Sequence, residues 1–201
     1  MIRKRLPQAE SRLRALDAAR DVLIELGPQG VTLKAVAARI GRTHANLLHH
    51  FGSAGGLQKA LTEHLATAIC RRIGIAFQAS RDGVGTPREV VDLIFEAFAE
   101  DGGGALASWL LLSGGEEGLT PIIEEICKAV DRFDDFKRVR EVTHLLVLLA
   151  FGDARVGGIL AKSLDIPRST AREAAELILK AALERHSIGA DFGMNARSVS
   201  T

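Results

Sequence analysis

The stretch VTLKAVAARIGRTHANLLHHFGSAGGLQKAL, residues 31–61, decides the fold of the N-terminal part of the chain. Its apolar residues recur at helical spacings of three and four, and Gly41 divides them into two short segments. Thr32 predicts the start of the first short helix and Thr43 that of the second, because a threonine side chain can cap a first turn. Gly41 tolerates the positive φ that a tight turn between them needs. Two short helices joined in this way predict a helix-turn-helix.

The second short helix predicts a surface that reads DNA. Leu47 and Phe51 give it a buried face, and the opposite face carries hydrogen-bonding side chains together with Ala45, which is small enough to approach a base edge. We therefore predict that DNA is contacted by Thr32, Lys34, Arg42, Thr43, His44, Ala45, Asn46, His49, His50 and Ser53.

Helical spacing continues through the rest of the chain, and no stretch has the alternation of a strand. Capping boxes at Thr86…Glu89 and Thr170…Glu173 predict two later helix starts. The predicted helices cover 9–26, 33–40, 44–50, a long segment capped by Ser53, 87–100, 104–113, 120–135, 137–162 and 169–187. The fold class is therefore all-α. The turn-rich connector at 80–86 divides it into a helix-turn-helix domain over 8–68 and a helical domain over 80–188.

Residues 31–61, together with ALDAARDVLIELG at 15–27, resemble the DNA-binding signature of tetracycline-repressor-like (TetR family) regulators. The resemblance covers about residues 10–65. It implies a three-helix N-terminal domain and a C-terminal helical bundle that dimerises through its last two long helices. It also implies a transcriptional regulator, by family default a repressor, that binds a pseudo-palindromic operator as a homodimer. In this family a small molecule releases the DNA.

Three departures from the family pattern bear on DNA affinity. The family usually has tyrosines where this chain has Leu48 and His49, and a lysine where it has Ala54-Gly55-Gly56. Arg42 replaces an apolar residue after the turn glycine. Fewer phosphate contacts weaken sequence-independent binding, although Lys34, Arg42 and the arm Arg3-Lys4-Arg5 can compensate. An alternative function therefore stays open, that of a ligand- or partner-binding helical dimer that has lost ordinary operator binding.

Segments 137–162 and 169–187 are apolar over an unusually wide arc. In 169–187, Leu177 and Ile178 lie on one stripe and Leu179 on a neighbouring one. So wide an arc must be covered on two sides, and a second copy of the chain is the natural cover for one of them. The alternative, that both helices are simply central to one core, stays open.

A ligand-binding pocket is predicted in the helices that wall the effector cavity in the family. The candidate lining residues are Phe95, Phe98, Trp109, Phe133 and His144. Because most of them are aromatic, the expected effector is apolar or amphipathic. Aromatic residues at helical spacing are also common in ordinary cores, so that alternative is kept.

Composition restricts the partners. Residues 1–74 carry 12 Lys and Arg against 5 Asp and Glu, whereas residues 75–201 carry 14 against 20. A basic end on an acidic body fits a polyanionic partner for the N-terminal part. The longest apolar run, 145–151, is much shorter than the roughly 20 residues that span a bilayer. With no apolar signal core after the N-terminus either, we predict a cytoplasmic protein without a membrane partner.

Neither catalysis nor a bound metal is predicted. The chain has no Gly-x-Ser-x-Gly, no phosphate loop and no dinucleotide-binding glycine motif. His44 and His49 are five residues apart, which places two metal ligands poorly on one helical face. Cys70 and Cys127 are too few and too distant for a zinc cluster. We therefore expect no enzyme activity, no cofactor and no metal site.

Overall fold

The computed structural model describes residues 8–114, 116–133 and 136–195, and this part of the chain is helical without a β-strand. The prediction of an all-α fold is confirmed. The α-helices are α1 (Gln8–Leu26), α2 (Leu33–Arg39), α3 (His44–Phe51), α4 (Ala54–Arg81), α5 (Pro87–Ala99), α6 (Gly103–Gly114), α7 (Thr120–Val130), α8 (Phe136–Gly152), α9 (Gly158–Ser163) and α10 (Thr170–Asn195). The basic arm Arg3-Lys4-Arg5 lies outside the described residues.

Several helix ends differ from the predictions. Helix α4 continues to Arg81, the first two residues of the predicted connector included, because no residue breaks it before Gly83, whose φ is +70°. Helix α7 ends at Val130 rather than at 135, since the next residues turn and the Phe133 amide donates to the Val130 carbonyl at 3.1 Å. The predicted helix over 137–162 contains a π-helical segment, Asp153–Gly157, between α8 and α9.

One of the two predicted capping boxes forms. The Thr86 amide donates to Glu89 Oε2 at 3.0 Å, and the Glu89 amide donates to Thr86 Oγ1 at 3.2 Å. The second prediction is wrong, because the Thr170 hydroxyl donates to the Pro167 carbonyl at 2.7 Å instead. The Glu173 amide bonds the Ser169 carbonyl, so α10 starts without that box.

The chain divides into two compact units. The first contains Met1–Ile69 and Glu100–Ile126. In it α2 packs on both α1 and α3. Its core joins buried side chains from α1 to α4 with Leu106 of α6, and Trp109 and Leu110 pack against it. Helix α3 is thereby held by apolar contacts of Leu47 and Phe51 within one unit.

The second unit contains Cys70–Ala99 and Cys127–Thr201. Helices α5, α8 and α10 pack on one another around Val91, Phe95 and Leu179. An ion-pair network also joins α5 to α10, since Asp92 accepts from Arg88 at 2.9 Å and from Arg172 at 3.0 Å.

The π-helical segment of the second unit is held by an arginine. Asp153 is buried, and its carboxylate pairs with Arg168 Nη1, while Arg168 Nη2 donates to the Asp153 carbonyl at 3.0 Å. A Cβ on residue 157 would lie 2.3 Å from Asp153 Oδ1, which explains Gly157 at this position. An unpaired buried carboxylate is costly, so the arginine is needed wherever the segment adopts this form.

Helix Lys137–Ser163, which comprises most of α8, the π segment and α9, is 27 residues long and apolar enough to cross a membrane by length and composition. An apolar helix of a soluble protein passes the same test. Only 17% of its most apolar window is buried within the chain. Exposed apolar side chains on this helix and on α10 include Leu145, Leu148, Val156, Ile159, Leu160 and Leu177.

Candidate nucleic-acid interface

Helix α3 presents one buried face and one exposed face. Leu47 and Phe51 are only 0% and 8% exposed, because both lie in the core of the first unit. On the other side His44, Ala45, Leu48 and His49 are all exposed. Leu48 lies four residues after His44 and three after Ala45, and His49 lies four after Ala45, so neighbouring side chains link all four residues on the helix surface. These four residues, called the exposed face of α3 below, form a continuous surface.

Leu48 is a surface residue that the sequence analysis left out of the predicted site. It is 42% exposed and lies one turn after His44 and three residues after Ala45. The same helical spacing that selected His44 and His49 includes position 48, so the signal was present in the sequence. With Ala45, Leu48 adds apolar surface suited to a thymine methyl group.

The turn before α3 has the predicted geometry. Gly41 has a φ of +63°, and the Arg42 amide donates to the Ala37 carbonyl at 2.9 Å. Thr43 is the N-cap of α3, where its hydroxyl oxygen accepts from the Asn46 amide at 3.3 Å. The glycine and the threonine together fix where α3 begins.

Two other predicted contacts also act as helix caps. Thr32 Oγ1 accepts from the Ala35 amide at 3.1 Å at the start of α2, and Ser53 Oγ accepts from the Gly56 amide at 2.9 Å at the start of α4. Both residues are exposed. Each therefore has a structural role in the free chain, and DNA contact by either stays a prediction.

The basic residues near α3 differ in whether they pair with an acidic side chain. Arg39 pairs with Glu25 through two hydrogen bonds, one of them 2.7 Å, and this side-chain bond holds the pKa of the Glu25 carboxyl below its usual value. Lys34 and Arg42 are exposed and have no acidic partner among the described residues. Their charges remain available to a polyanion.

Asn46 is half-buried, and its Oδ1 is a buried atom with no hydrogen-bond partner in the described structure. A buried polar group without a partner lowers stability by about 1–3 kcal/mol. The free chain therefore gains nothing from this amide oxygen, and DNA contact by Asn46 stays a prediction.

His50 lies in the last turn of α3. Arg12 of α1 donates to the His50 carbonyl at 2.8 Å. The pKa of the His50 imidazole is lowered by burial first, and then by the charges of His49 and Arg12. His50 is therefore expected to be neutral at pH 7 in the free chain, and His49 is the more exposed of the two.

The glycine pair of α4 explains part of the departure from the family pattern. A Cβ on residue 56 would lie 2.0 Å from the Phe51 carbonyl oxygen, so Gly56 allows α3 and α4 to approach closely. Residue 55 has only Ser53 Oγ within 4 Å, at 3.8 Å. Position 56 is thus restricted by the packing, whereas position 55 can hold a larger side chain.

The predicted ligand-binding residues lie in different surroundings. Phe95 is 1% exposed in the core of the second unit, and Phe98 packs against that core with its ring 6.0 Å from Phe151. Trp109 packs in the first unit, Phe133 lies 4.7 Å from the Phe77 ring, and His144 is exposed. Their role in a pocket stays a prediction.

Residues 15–61 match the family model of bacterial regulatory proteins, tetR family. The helix-turn-helix segment of the chain thus matches the TetR family. The matched segment begins in α1 and ends in α4, so it contains the complete helix-turn-helix. TetR family members are regulatory proteins, in agreement with the prediction that the chain is not an enzyme.

Among curated proteins, the HTH-type transcriptional repressor Rv3405c of Mycobacterium tuberculosis is 32% identical over 71 residues, which are 34% of this chain and 38% of that repressor. The chain therefore matches less than two fifths of this relative. Among solved structures, a TetR family member from Streptomyces coelicolor has a TM-score of 0.58, with 21% identity, 84% of this chain and 98% of that chain covered. The multidrug binding protein EbrR complexed with proflavin has a TM-score of 0.57 and 20% identity, and the match covers 85% of this chain and 98% of EbrR. These two likenesses show the fold.

Gly56→Ala should destabilise the helix-turn-helix domain, because its methyl group would collide with the Phe51 carbonyl. The matched control is Gly55→Ala, which has space for the methyl group and should stabilise the chain by up to about 1 kcal/mol through helix propensity. Urea unfolding followed by circular dichroism measures both. Equal effects of the two substitutions would show that the close approach at position 56 is not present in solution.

The lowered pKa of His50 gives stability a pH dependence of known sign. Above about pH 6.5 the imidazole is neutral in both the folded and the unfolded chain. As the pH falls below that value the unfolded chain takes up the proton first, so folding stability decreases. The free energy of unfolding should therefore fall more between pH 7.5 and 5.5 in the parent chain than in His50→Gln. Leu48→Ala, altered at an exposed residue of the same helix that does not titrate, should show the pH dependence of the parent.

Proposed function

We propose that this TetR family protein is a sequence-specific DNA-binding transcriptional regulator that reads the major groove through the exposed face of α3. The observation that carries the proposal is the division of α3 into a fully buried side, with Leu47 at 0% exposure, and a continuous exposed side. A helix held in this way presents base-reading side chains while Leu47 and Phe51 stay in the core. The resemblance to a repressor over the same segment supports repression as the direction of regulation.

The chemistry of the exposed face fits base edges. His44 and His49 supply donors and acceptors, and Ala45 and Leu48 supply small and branched apolar surface. Asn46, half-buried beside this face, adds an amide group. Lys34 and Arg42 add positive charge shortly before α3 in the sequence, within the basic N-terminal third. Phosphate contacts by such side chains set the register of a protein on DNA, and base contacts set its specificity.

The proposed functional form is a homodimer. Leu145 and Leu148 of α8 and Leu177 of α10 are 45%, 54% and 67% exposed in the single chain. Large apolar side chains clustered on two helices of a soluble protein mark an association surface. A twofold dimer also suits DNA reading, because one recognition helix covers only a half-site. A second copy packed on α8 and α10 would cover the exposed leucines and supply the second recognition helix.

The proposed regulation is release of the DNA by a small apolar or amphipathic effector that binds in the second unit. The proposed location of the protein is the cytoplasm. EbrR, which shares the fold, is a multidrug binding protein that has been seen with proflavin and with ethidium. The aromatic residues Phe95, Phe98 and Phe133 give the second unit apolar surface of the kind such compounds contact. An effector must favour the DNA-free arrangement in order to release the operator.

Selection of genomic fragments with the purified protein tests the DNA proposal. The best fragment should hold a pseudo-palindrome, and His44→Ala combined with Asn46→Ala should weaken its binding by about 100-fold, since each lost base contact is worth about 1–3 kcal/mol. Gel shifts at one fixed salt concentration measure this. The double variant should keep its fold, because His44 is exposed and Asn46 Oδ1 has no internal partner among the described residues.

Gln29→Ala is the matched control, because Gln29 is exposed in the first unit but lies outside α3. It should bind the selected fragment like the parent chain. Weak, sequence-blind binding that the double variant leaves unchanged would contradict the proposal. It would favour a ligand- or partner-binding dimer that has lost ordinary operator binding.

Leu177→Glu should convert the dimer to a monomer, because it places a charge in the proposed apolar interface. Ile75→Glu is the matched control, since Ile75 and Leu177 are both 67% exposed and only Leu177 lies on α10. Sedimentation equilibrium measures the mass of each. A parent chain that is monomeric at micromolar concentration, or a loss of the dimer in both variants, would contradict the proposed interface.

A further inference from the structure

We propose that Arg12 is a positioning residue for DNA reading, because it fastens the C-terminal end of α3 to α1 and so fixes the orientation of the exposed face of α3. The inference rests on the proposed DNA-binding function. It concerns a residue outside the recognition helix that no sequence pattern selected.

Arg12 contacts the end of α3 in two ways. Its Nη1 donates to the His50 carbonyl at 2.8 Å, and its guanidinium carbon lies 4.6 Å from the centre of the Phe51 ring. The His50 carbonyl belongs to the last turn of α3, where carbonyl groups lack partners within the helix. A cation at this end also interacts favourably with the helix dipole. Arg12 therefore gives the His50 carbonyl a hydrogen-bond donor that α3 itself does not supply.

The other arginines of α1 are engaged differently. Arg14 pairs with Glu10 of its own helix at 3.1 Å, and Arg20 pairs with Asp101. Arg12 is half-buried, and no carboxylate of the described residues pairs with it. Its charge is directed at backbone and at an aromatic ring rather than at a side-chain anion. These contacts join positions 38 residues apart in sequence.

The consequence for binding follows from preorganisation. The eight-residue helix α3 is too short to be stable alone, so its far end keeps its place only through tertiary contacts. If that end is loose in the free protein, part of the binding free energy is used to order it on DNA. Specific binding, which needs exact placement of base-reading groups, is then weakened more than non-specific binding to phosphates.

The test compares Arg12→Gln with Arg14→Gln, which removes the same charge from the same helix without touching α3. Affinity for a selected fragment and for random duplex DNA is measured over a range of salt concentrations. We expect Arg12→Gln to bind the selected fragment about fivefold more weakly than Arg14→Gln. Binding to random DNA and the salt slope should be equal in the two variants.

A phosphate contact would give a different result. The salt slope of Arg12→Gln would then fall by about one relative to Arg14→Gln, and both kinds of DNA would lose affinity together. Arg12→Lys separates the two further, because lysine restores a phosphate contact but not the planar contact with the ring and the carbonyl. A full rescue by lysine would overturn the proposal.

A second readout needs no DNA. The pKa of His50, followed by NMR titration of its imidazole, should rise in Arg12→Gln because a positive neighbour is removed, and should stay unchanged in Arg14→Gln. An unchanged pKa in Arg12→Gln would show that the contact is absent in solution and would overturn the proposal. If the parent chain selects no DNA sequence, the proposed function itself fails, which the fragment selection reveals before any variant is compared.

Discussion

The burial of Leu47 and Phe51 is the constraint on which the reading surface depends. Helix α3 has eight residues, and a helix of this length is not stable in water without tertiary contacts. Leu47 and Phe51 insert into the core built by α1, α2 and α4, with Leu47 fully buried. Because both lie on one side, the other side is exposed as a direct consequence. The surface proposed to read DNA is thus the side of α3 that the packing of Leu47 and Phe51 leaves exposed.

The contacts around α3 limit its movement at both ends. Thr43 and the turn at Gly41 define where it begins, and Gly56 allows α4 to pass close to the Phe51 carbonyl where it ends. Arg12 adds a polar contact at that same end. Local sequence determines both ends of the helix, since Gly52 ends it with a φ of +73° and its amide donates to the Leu48 carbonyl at 2.7 Å. The Arg12 contact adds a long-range interaction at that end. A helix fixed in this way presents its side chains in one arrangement, which specific recognition requires.

This difference explains what the sequence could predict. Caps, turn glycines and apolar spacing involve residues within four positions of one another, so Thr32, Gly41 and Thr43 were identified from the sequence. The Arg12 contact and the restriction at Gly56 depend on which segments meet in space, and no local pattern carries that information. Leu48 was missed for another reason, because comparison with the family drew attention to the tyrosine it replaces rather than to its own exposure. The Arg168–Asp153 pair and the π-helical segment it holds belong to the long-range class.

The division of charge runs along the sequence and does not coincide with the two compact units, because the first unit also contains the acidic segment 100–126. The basic N-terminal third holds the exposed face of α3, and the acidic remainder holds α8 and α10 with their exposed apolar residues. A basic surface attracts DNA, and an apolar one associates with its own copy. A homodimer would therefore bring two reading helices to one DNA duplex. Their separation would have to match about 34–36 Å, one turn of the double helix.

Dimethyl sulfate protection on a selected fragment tests the central claim most directly, because it reports on each groove separately. Guanine N7 lies in the major groove and adenine N3 in the minor groove. Reading through α3 as a dimer predicts two clusters of protected guanine N7 atoms, centred about 10 base pairs or a multiple of that apart. Protection confined to adenine N3, or none on any selected fragment, would contradict the account.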